Sequence, residues 1–325
     1  MRIAINGMGR IGRLLFRLLL ENGKHDLVAV NDIMEPENLL YLLKYDSISG
    51  PYPHKLELKD QALLTDNKSV KVLNQAHPEK LPWNELNIDL VVECAGRFTT
   101  MQLAGKHLEA GAKKVLLSTT GSEDMPLIIW GVNNEILSKE NKILSPGGCM
   151  TNCSGTVLKP LLDHFGIESV QINFLHSYTS RQSLVDAPHS NYRRGRAAAT
   201  SIIPVEIDLA HTLERLFPNL ESKVAATSTR VPIACGAFAD FSVILKKTVS
   251  VAEMNDLFKV QSENQLRGIL QYNEEKIVSN DTIGNSHSAI FDSTLTSIVG
   301  GHHCKISAWF DNEFGYTNRL IDIIG

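Results

Sequence analysis

The chain lacks a strong charge of either sign. Its 32 Lys and Arg residues stand against 36 Asp and Glu, for a net charge of −4. Bulk electrostatics therefore give no pull toward nucleic acid or an anionic membrane, and neither is expected as a partner. It also lacks any apolar run long enough to span a bilayer. The first residues read straight into a strand, so no signal peptide is expected. Cysteine is sparse, with five residues at positions 94, 149, 153, 235 and 304. The odd number argues against a disulfide framework. No second cysteine or histidine pair stands at zinc-ligand spacing, so no metal site is expected. Reduced cysteines point to a cytoplasmic protein. Internal repeats and low-complexity segments are absent.

The length of 325 residues suggests two domains with separate cores. Arg2-Ile-Ala-Ile-Asn6 is a short apolar strand, and Gly7-Met-Gly9-Arg-Ile-Gly12 follows at once. A leucine-rich helix spans Arg13 to Glu21, and the strand Leu27–Val30 ends in Asn31-Asp32. Glycines in that context permit a tight turn and close approach of a pyrophosphate to a helix N-terminus. Asp32 stands where an acid accepts hydrogen bonds from the adenine-side ribose, and it would repel a 2′-phosphate. NAD is expected over NADP.

The strand–helix alternation continues with a helix at Pro36–Tyr45. Short alternating runs over 55–74 read as an antiparallel insertion. A strand and loop are expected at Asp89–Gly96, strands at Lys114–Leu117, Leu127–Trp130 and Lys142–Leu144, and a helix at Met101–Ala110. This is the pattern of a doubly wound sheet. The resulting α/β Rossmann-type domain covers residues 1–148 and is joined by a closing helix at 312–325.

Ser145-Pro-Gly-Gly-Cys149-Met-Thr-Asn-Cys153 ends that first half. A glycine pair delivers Cys149 to the start of a helix. The helix dipole and unpaired N–H groups there favour thiolate over thiol and can hold an oxyanion. Cys149 is the candidate nucleophile. Pro160 within this helix predicts a kink or an early stop. Val170–Phe174 alternates as a half-buried strand and carries His176 at its end. A polar segment rich in arginine, Ser177 to Arg196, has the length of a functional loop. A helix at 208–216, strands at 224–234 and 238–247, a capping box at Ser250–Glu253 and a strand at Lys305–Phe310 follow. The expected α+β catalytic domain, 149–311, has a largely antiparallel sheet with helices on one face.

Taken together these motifs resemble the glyceraldehyde-3-phosphate dehydrogenase family, which includes the erythrose-4-phosphate dehydrogenases. The likeness runs from Ile3-Ala-Ile-Asn-Gly to Trp309-Phe-Asp-Asn-Glu-Phe-Gly-Tyr-Thr-Asn318. Leu42-Leu-Lys-Tyr-Asp46, Thr151-Asn-Cys153, His176-Ser-Tyr-Thr179, Arg193-Arg194, Ser201-Ile-Ile-Pro204 and Arg230-Val-Pro232 lie in the family's order. The resemblance implies NAD-dependent oxidation of a small phosphorylated aldehyde through a thiohemiacetal and a thioester on Cys149, with His176 as the base. It implies cofactor contacts at Gly7, Gly9, Arg10, Ile11, Gly12, Asp32, Ser118, Asn312 and Tyr316. Substrate contacts are expected at Thr151, Thr179, Arg194 and Arg230, and a homotetramer is implied. Which of Arg193, Arg194 and Arg196 points inward stays open.

The chain departs from the family around the thioester. Gly148 and Met150 replace residues that carry hydroxyls, and Ile207-Asp208 stands for a threonine and a glycine. These positions usually help hold the attacking inorganic phosphate. The family's T-N-D reads Thr179-Ser-Arg181, which reverses a charge and makes Arg181 a further substrate candidate. Arg181 either pairs with Asp208 or takes an anion itself. Glyceraldehyde-3-phosphate dehydrogenase is the first reading. An erythrose-4-phosphate-type enzyme that releases a free acid is the second. A paralogue with a binding or regulatory role is the third, against which intact Cys149, His176 and Asn312 argue.

Overall fold

A computed structural model describes residues 1–66, 68–138 and 140–325 of the chain. It folds into two compact units. The first holds Met1–Ile128, Asn134–Gly148 and Thr317–Gly325; the second holds Ile129–Asn133 and Cys149–Tyr316.

The first unit is built on β1 (Arg2–Asn6), α1 (Arg10–Asn22), β2 (Asp26–Asn31), α2 (Pro36–Lys44), β3 (Glu57–Lys59), β4 (Ala62–Leu64), β5 (Ser69–Leu73), β6 (Leu90–Glu93), α3 (Met101–Glu109), β7 (Lys114–Leu117) and β8 (Ile143–Leu144). Its sheet has the order β3-β4-β5-β2-β1-β6-β7-β8. β1 lies between β2 and β6, parallel to both. That is why Ile3, Ala4 and Ile5 are all fully buried: a central parallel strand is covered on both faces. The 55–74 insertion pairs antiparallel within itself, but β5 returns parallel to β2 and so extends the main sheet. α1 buries Leu14, Leu15, Phe16 and Leu19 and ends at Gly23, whose left-handed backbone closes the helix onto the Leu19 carbonyl. Thr100 caps α3 by accepting from the Leu103 N–H.

One expected strand is absent. Leu127–Trp130 makes a single bridge, Leu127 to Ser145. The segment then turns, with Val132 and Asn133 N–H groups both donating to the Ile129 carbonyl and Gly131 at φ +85°. Apolar composition signalled burial here, and Pro126 and Gly131 leave too short a run for a ladder.

The second unit contains α4 (Cys149–His164), β9 (Ile167–Ser177), β10 (Ile203–Val205), α5 (Leu209–Leu216), β11 (Val224–Val231), β12 (Ala237–Leu245), α6 (Val251–Glu263), β13 (Leu270–Asn273), β14 (Ala289–Asp292), β15 (Ser297–Val299) and β16 (His303–Phe310). α7 (Phe314–Ile324) begins here and runs into the first unit's residues. The sheet order is β10-β11-β9-β12-β16-β14-β13, with β15 on β16. β9 runs parallel to β11 and β13 parallel to β14, while the other ladders are antiparallel. Val170, Ile172 and Phe174 of β9 face one core with Val157, Leu158 and Leu161 of α4, Leu213 of α5 and Phe258 of α6. The alternate β9 positions Gln171, Asn173 and Leu175 are exposed. The Ser250–Glu253 capping box opens α6 as expected.

Pro160 does not end its helix; α4 runs on to His164. Leu158 and Leu161 on either side are fully buried. Their packing outweighs the one hydrogen bond that proline removes, and the Pro160 carbonyl still accepts from His164 Nδ1 at 2.9 Å.

The glycines of the first turn are not equivalent, and this can be measured. A Cβ on Gly12 would lie 2.0 Å from the Gly7 carbonyl oxygen, whereas one on Gly9 meets nothing within 4 Å. Gly12→Ala is expected to destabilise by about 1–3 kcal/mol, the usual scale of overpacking. Gly9→Ala is expected to unfold at the wild-type temperature. Thermal unfolding of the two variants side by side tests this, and equal midpoints would contradict it.

Candidate active site

In the first unit the chain turns sharply between β1 and α1. Gly7 has φ +94°, and a Cβ there would sit 2.3 Å from the Ala95 backbone nitrogen. Gly7 makes the turn, Gly12 lets α1 approach it, and Gly9 leaves open space before the helix. The first-turn N–H groups of a helix lack intrahelical acceptors, so this cradle suits a pyrophosphate. Ile11 lies within that first turn. Arg10 heads α1, and its guanidinium pairs with Asp46. Burial opposes the Asp46 charge, but Arg10 and the N–H groups of Ser49 and Ile48 hold its carboxyl below the usual range. Arg10 is thus a strut for the 46–49 turn, and what it offers a cofactor is its place at the helix head.

Asp32 follows β2. Its carboxylate accepts from the Met8 N–H at 2.5 Å and from the Met34 N–H at 3.0 Å. It ties down the glycine turn, and a carboxylate retains further lone pairs for ribose hydroxyls. Ser118 follows β7, with its N–H donating to the Glu93 carbonyl at 3.0 Å.

In the second unit Cys149 is the first residue of α4 and His176 the penultimate residue of β9. Cys149 Sγ lies 3.6 Å from His176 Nε2. Arg230 stands opposite His176 in the β9–β11 ladder. Its Nη1 reaches His176 Nδ1 at 2.5 Å and donates to the Ser177 carbonyl at 3.1 Å. The same Nδ1 lies 2.8 Å from that carbonyl. These neighbours make opposite demands. A guanidinium only donates, so it calls for a lone pair on Nδ1, whereas the carbonyl calls for N–H. Either way the ring is neutral: burial and then Arg230 push the His176 pKa down to about 3.

The thiol departs from expectation. Burial drives the Cys149 pKa up to about 11, against the opposing pull of Arg230 and of the Met150 and Cys149 N–H groups. The helix-start effect is present but smaller than desolvation. These shifts favour thiol and neutral imidazole in the pair, with thiolate forming as the sulfur attacks. Cys153, one turn on, is fully buried in the core, and burial pushes its thiol well up from its ordinary value.

Asn312 is oriented by residues that sequence reasoning missed. Its Oδ1 accepts from Ser177 Oγ at 3.1 Å and from the Gly236 N–H at 2.9 Å. The amide N–H groups are the end left to offer a ligand carbonyl. Asp311 beside it accepts from the Glu313 and Phe314 N–H groups at 2.8 Å, fixing the start of α7. Tyr316, further along α7, is buried. Ser177 adjoins His176 in sequence, which was the one available signal; Gly236 had none.

The three arginines of the loop differ in their surroundings. Arg196 pairs at the surface with Asp186, Arg193 is exposed, and Arg194 is half-buried. Burial, then the nearby Arg181, lower the Arg194 pKa. Arg230 is pushed down to about 10 by burial, with Arg194 and Arg181 adding to the shift against the pull of Cys149. Thr179 is held by Gln182, whose Oε1 accepts from the Thr179 N–H at 2.9 Å and hydroxyl at 3.0 Å. The Arg181 N–H donates to the Thr179 hydroxyl at 3.3 Å. Among the described residues no ion pair joins Arg181 to Asp208. Thr151 is buried in the first turn of α4. No group of side chains among the described residues has the makings of a metal site.

Comparison with known proteins bears on both units. Residues 1–101 match the family model described as glyceraldehyde 3-phosphate dehydrogenase, NAD binding domain. Residues 148–312 match the model for the C-terminal domain of the same enzyme. The glyceraldehyde-3-phosphate dehydrogenase of Borreliella burgdorferi is 42% identical over 330 residues, covering 99% of this chain and 98% of the relative. That of Thermotoga maritima is 40% identical over 325 residues, covering 99% and 98%. That of Clostridium pasteurianum is 42% identical over 325 residues, covering 98% and 96%. With an NAD-binding glycine turn in one unit and a paired cysteine and histidine in the other, the chain belongs to the glyceraldehyde-3-phosphate dehydrogenase family.

Proposed function

We propose that this protein oxidises glyceraldehyde 3-phosphate with NAD, through a thiohemiacetal and then a thioester on Cys149. The observation that carries this reading is the contact of Cys149 Sγ with His176 Nε2 beside Arg230. Residues 1–148 with 312–325 serve as the NAD-binding domain and 149–311 as the catalytic domain. Gly7, Gly9, Arg10, Ile11, Gly12, Asp32 and Ser118 hold the cofactor, with Asn312 donating to its carboxamide and Tyr316 supporting α7. Bound there, NAD would supply the acceptor for the hydride that leaves the substrate carbon. The chain supplies the rest. Cys149 Sγ bonds to the aldehyde carbon, and the thiol proton passes to the carbonyl oxygen. His176 Nε2 then takes the hydroxyl proton as the thioester forms. That step needs a lone pair on Nε2 and therefore N–H on Nδ1, donating to the Ser177 carbonyl. A substrate phosphate drawing on Arg230 favours that tautomer by relieving the Arg230–Nδ1 contact. Thr179, Arg194 and Arg230 are the anchors for that phosphate, and Thr151 lies in the turn that bears the thiol.

A second reading concerns the acceptor. Met150 and Ile207 pack against the core of the second unit and bring no hydroxyl. Arg181 makes no ion pair with Asp208, which leaves it to bind an anion. Water or phosphate would cleave the thioester, and the free acid is the product of the first route. We also take the protein to be a cytoplasmic homotetramer, as cysteine usage and the family likeness suggest. Leu184, Val185, Tyr192 and Ile202 expose apolar side chains along one loop, the kind of surface that subunit contact buries.

Three measurements test these assignments. Iodoacetamide should label Cys149 ahead of the other cysteines and abolish turnover. Because thiolate is the minor form below a pKa of about 11, the rate should rise with pH across the neutral range. Arg230 lowers that pKa, so Arg230→Met should slow labelling severalfold at each pH. A rate that is flat with pH would show thiolate already formed at rest.

The wild type should prefer NAD over NADP in kcat/KM by about a hundredfold or more. Like charges at ~4 Å repel by ~4 kcal/mol at an effective dielectric near 20. Asp32→Ala should lower efficiency with NAD, since Met8 and Met34 lose their acceptor, and should narrow the preference. Equal use of the two cofactors by the wild type would contradict the role of Asp32.

NADH production from glyceraldehyde 3-phosphate should depend only weakly on inorganic phosphate, with free acid among the products. Each missing hydrogen bond to a charged acceptor costs ~1.5–3 kcal/mol of phosphate affinity. Saturable dependence with acyl phosphate as sole product would overturn the second reading while sustaining the first. Absence of NADH at any phosphate concentration would overturn both.

A further inference from the structure

A buried polar chain runs beneath the glycine turn of the first unit, and the chemistry above does not use it. Glu93, the last residue of β6, is 2% exposed and His107 of α3 is 0% exposed. Trp83 Nε1 donates to His107 Nδ1 at 3.0 Å. Indole only donates, so Nδ1 must offer its lone pair, and the His107 proton sits on Nε2. That nitrogen lies 2.9 Å from Glu93 Oε2. Asn6 Nδ2 donates to the same oxygen at 2.5 Å. The other oxygen, Oε1, accepts from the Ala95 N–H at 2.6 Å. Glu93 therefore only accepts, from three donors on three segments.

The chain continues toward the cofactor side. Asn6 Oδ1 accepts from Asn31 Nδ2 at 2.7 Å, and Asn31 Oδ1 accepts from the Gln75 N–H at 2.9 Å. Asn6 and Asn31 end β1 and β2, and the Asn31 carbonyl accepts from the Gly7 N–H at 2.7 Å. Asn6 immediately precedes Gly7. Ala95 is the backbone against which Gly7 packs. One carboxylate thus grips both sides of the residue that makes the turn.

We propose that Glu93 is a positioning residue for the dinucleotide, fixing the Gly7 turn through Asn6 and Ala95, with His107 locked by Trp83 into the one tautomer that donates to it. Burying a carboxylate is unfavourable unless it is fully hydrogen-bonded, and a well-packed apolar residue would serve mere stability as well. What an apolar residue cannot do is hold Asn6 and the Ala95 N–H at fixed separation. Backbone approaching a pyrophosphate needs that precision, because small misplacements weaken every N–H contact together.

The inference rests on reading Gly7–Gly12 as the NAD turn, and the test separates the two. Glu93→Gln keeps the shape but places an NH2 group where an acceptor stood. It then faces either the Ala95 N–H or the donors from Asn6 and His107. NAD affinity, followed by titration calorimetry, should fall about tenfold or more. The rate of Cys149 alkylation without NAD should stay within about twofold of wild type, because Cys149 belongs to the other unit. Trp83→Phe frees the His107 tautomer while keeping an aromatic ring, and should weaken NAD about two- to fivefold. It decides the matter if Glu93→Gln does not fold. NAD binding at wild-type strength in the folded variants, or a parallel fall in alkylation, overturns the proposal. Failure of the wild type to bind NAD would instead remove the dinucleotide reading itself.

Discussion

Arg230 reaches one ladder position across the sheet to His176, and much of the catalytic unit is arranged around that contact. The parallel β9–β11 register pairs Arg230 with His176 and Val231 with Ser177. β12 begins on the other side of β9, with Ala237 opposite His176, and pairs Ala237 with Phe310 at the end of β16. The ends of β9, β11 and β16 and the start of β12 therefore bring together His176, Arg230, Gly236 and Asn312. A slip of one residue in any ladder would turn its side chain to the opposite face. The long apolar alternation of β9 and β12 against α4 prevents that slip, so packing far from the thiol sets the geometry at it.

The electrostatics run opposite to the simplest reading of a helix-start cysteine, and burial is the reason. An N-terminal dipole and a nearby guanidinium both favour thiolate. Burial disfavours it, and here burial is the larger effect on both partners. Arg230 acts asymmetrically on the pair. It favours the anion on sulfur and disfavours the cation on imidazole. A protein that needs a neutral base beside a nucleophile is served by that combination, since a charged imidazole could not accept a proton.

How much of this was legible depends on whether the cause is local. The glycine turn was legible because each glycine answers a backbone demand that sequence spacing carries: a positive φ at Gly7, a close approach at Gly12, open space at Gly9. Cys149 and His176 were legible by position at element ends. The greater burial of Arg194 than of Arg193 and Arg196 was not, because it turns on contacts such as Asp186 with Arg196 across a loop without periodicity. The protonation of Cys149 was not legible either, since desolvation belongs to the assembled core. Of the kink or early stop that Pro160 predicted, the stop did not occur, for a similar reason: tertiary packing overrode local propensity. Glu93, Asn6 and His107 each read as ordinary polar residues until the fold joined them.

The arginine loop shows the opposite economy from the Glu93 network. In the network every donor meets an acceptor. Gln182 Nε2 and Arg194 Nη1 of the loop, with Arg230 Nε of the adjoining β11, are buried without an acceptor among the described residues. All three are donors, and each unmatched group costs about 1–3 kcal/mol. Beside the larger effect of burial, Arg181 lowers the proton affinity of Arg194, and Arg194 and Arg181 together lower that of Arg230. The saturated network suits support, and the unmatched donors beside Arg230 suit binding. Rigid, saturated hydrogen bonding holds the turn, where precision matters. Unsaturated donors gather where an oxyanion must be taken up and released, since a site already satisfied by its own carboxylates would have to break those bonds before every turnover.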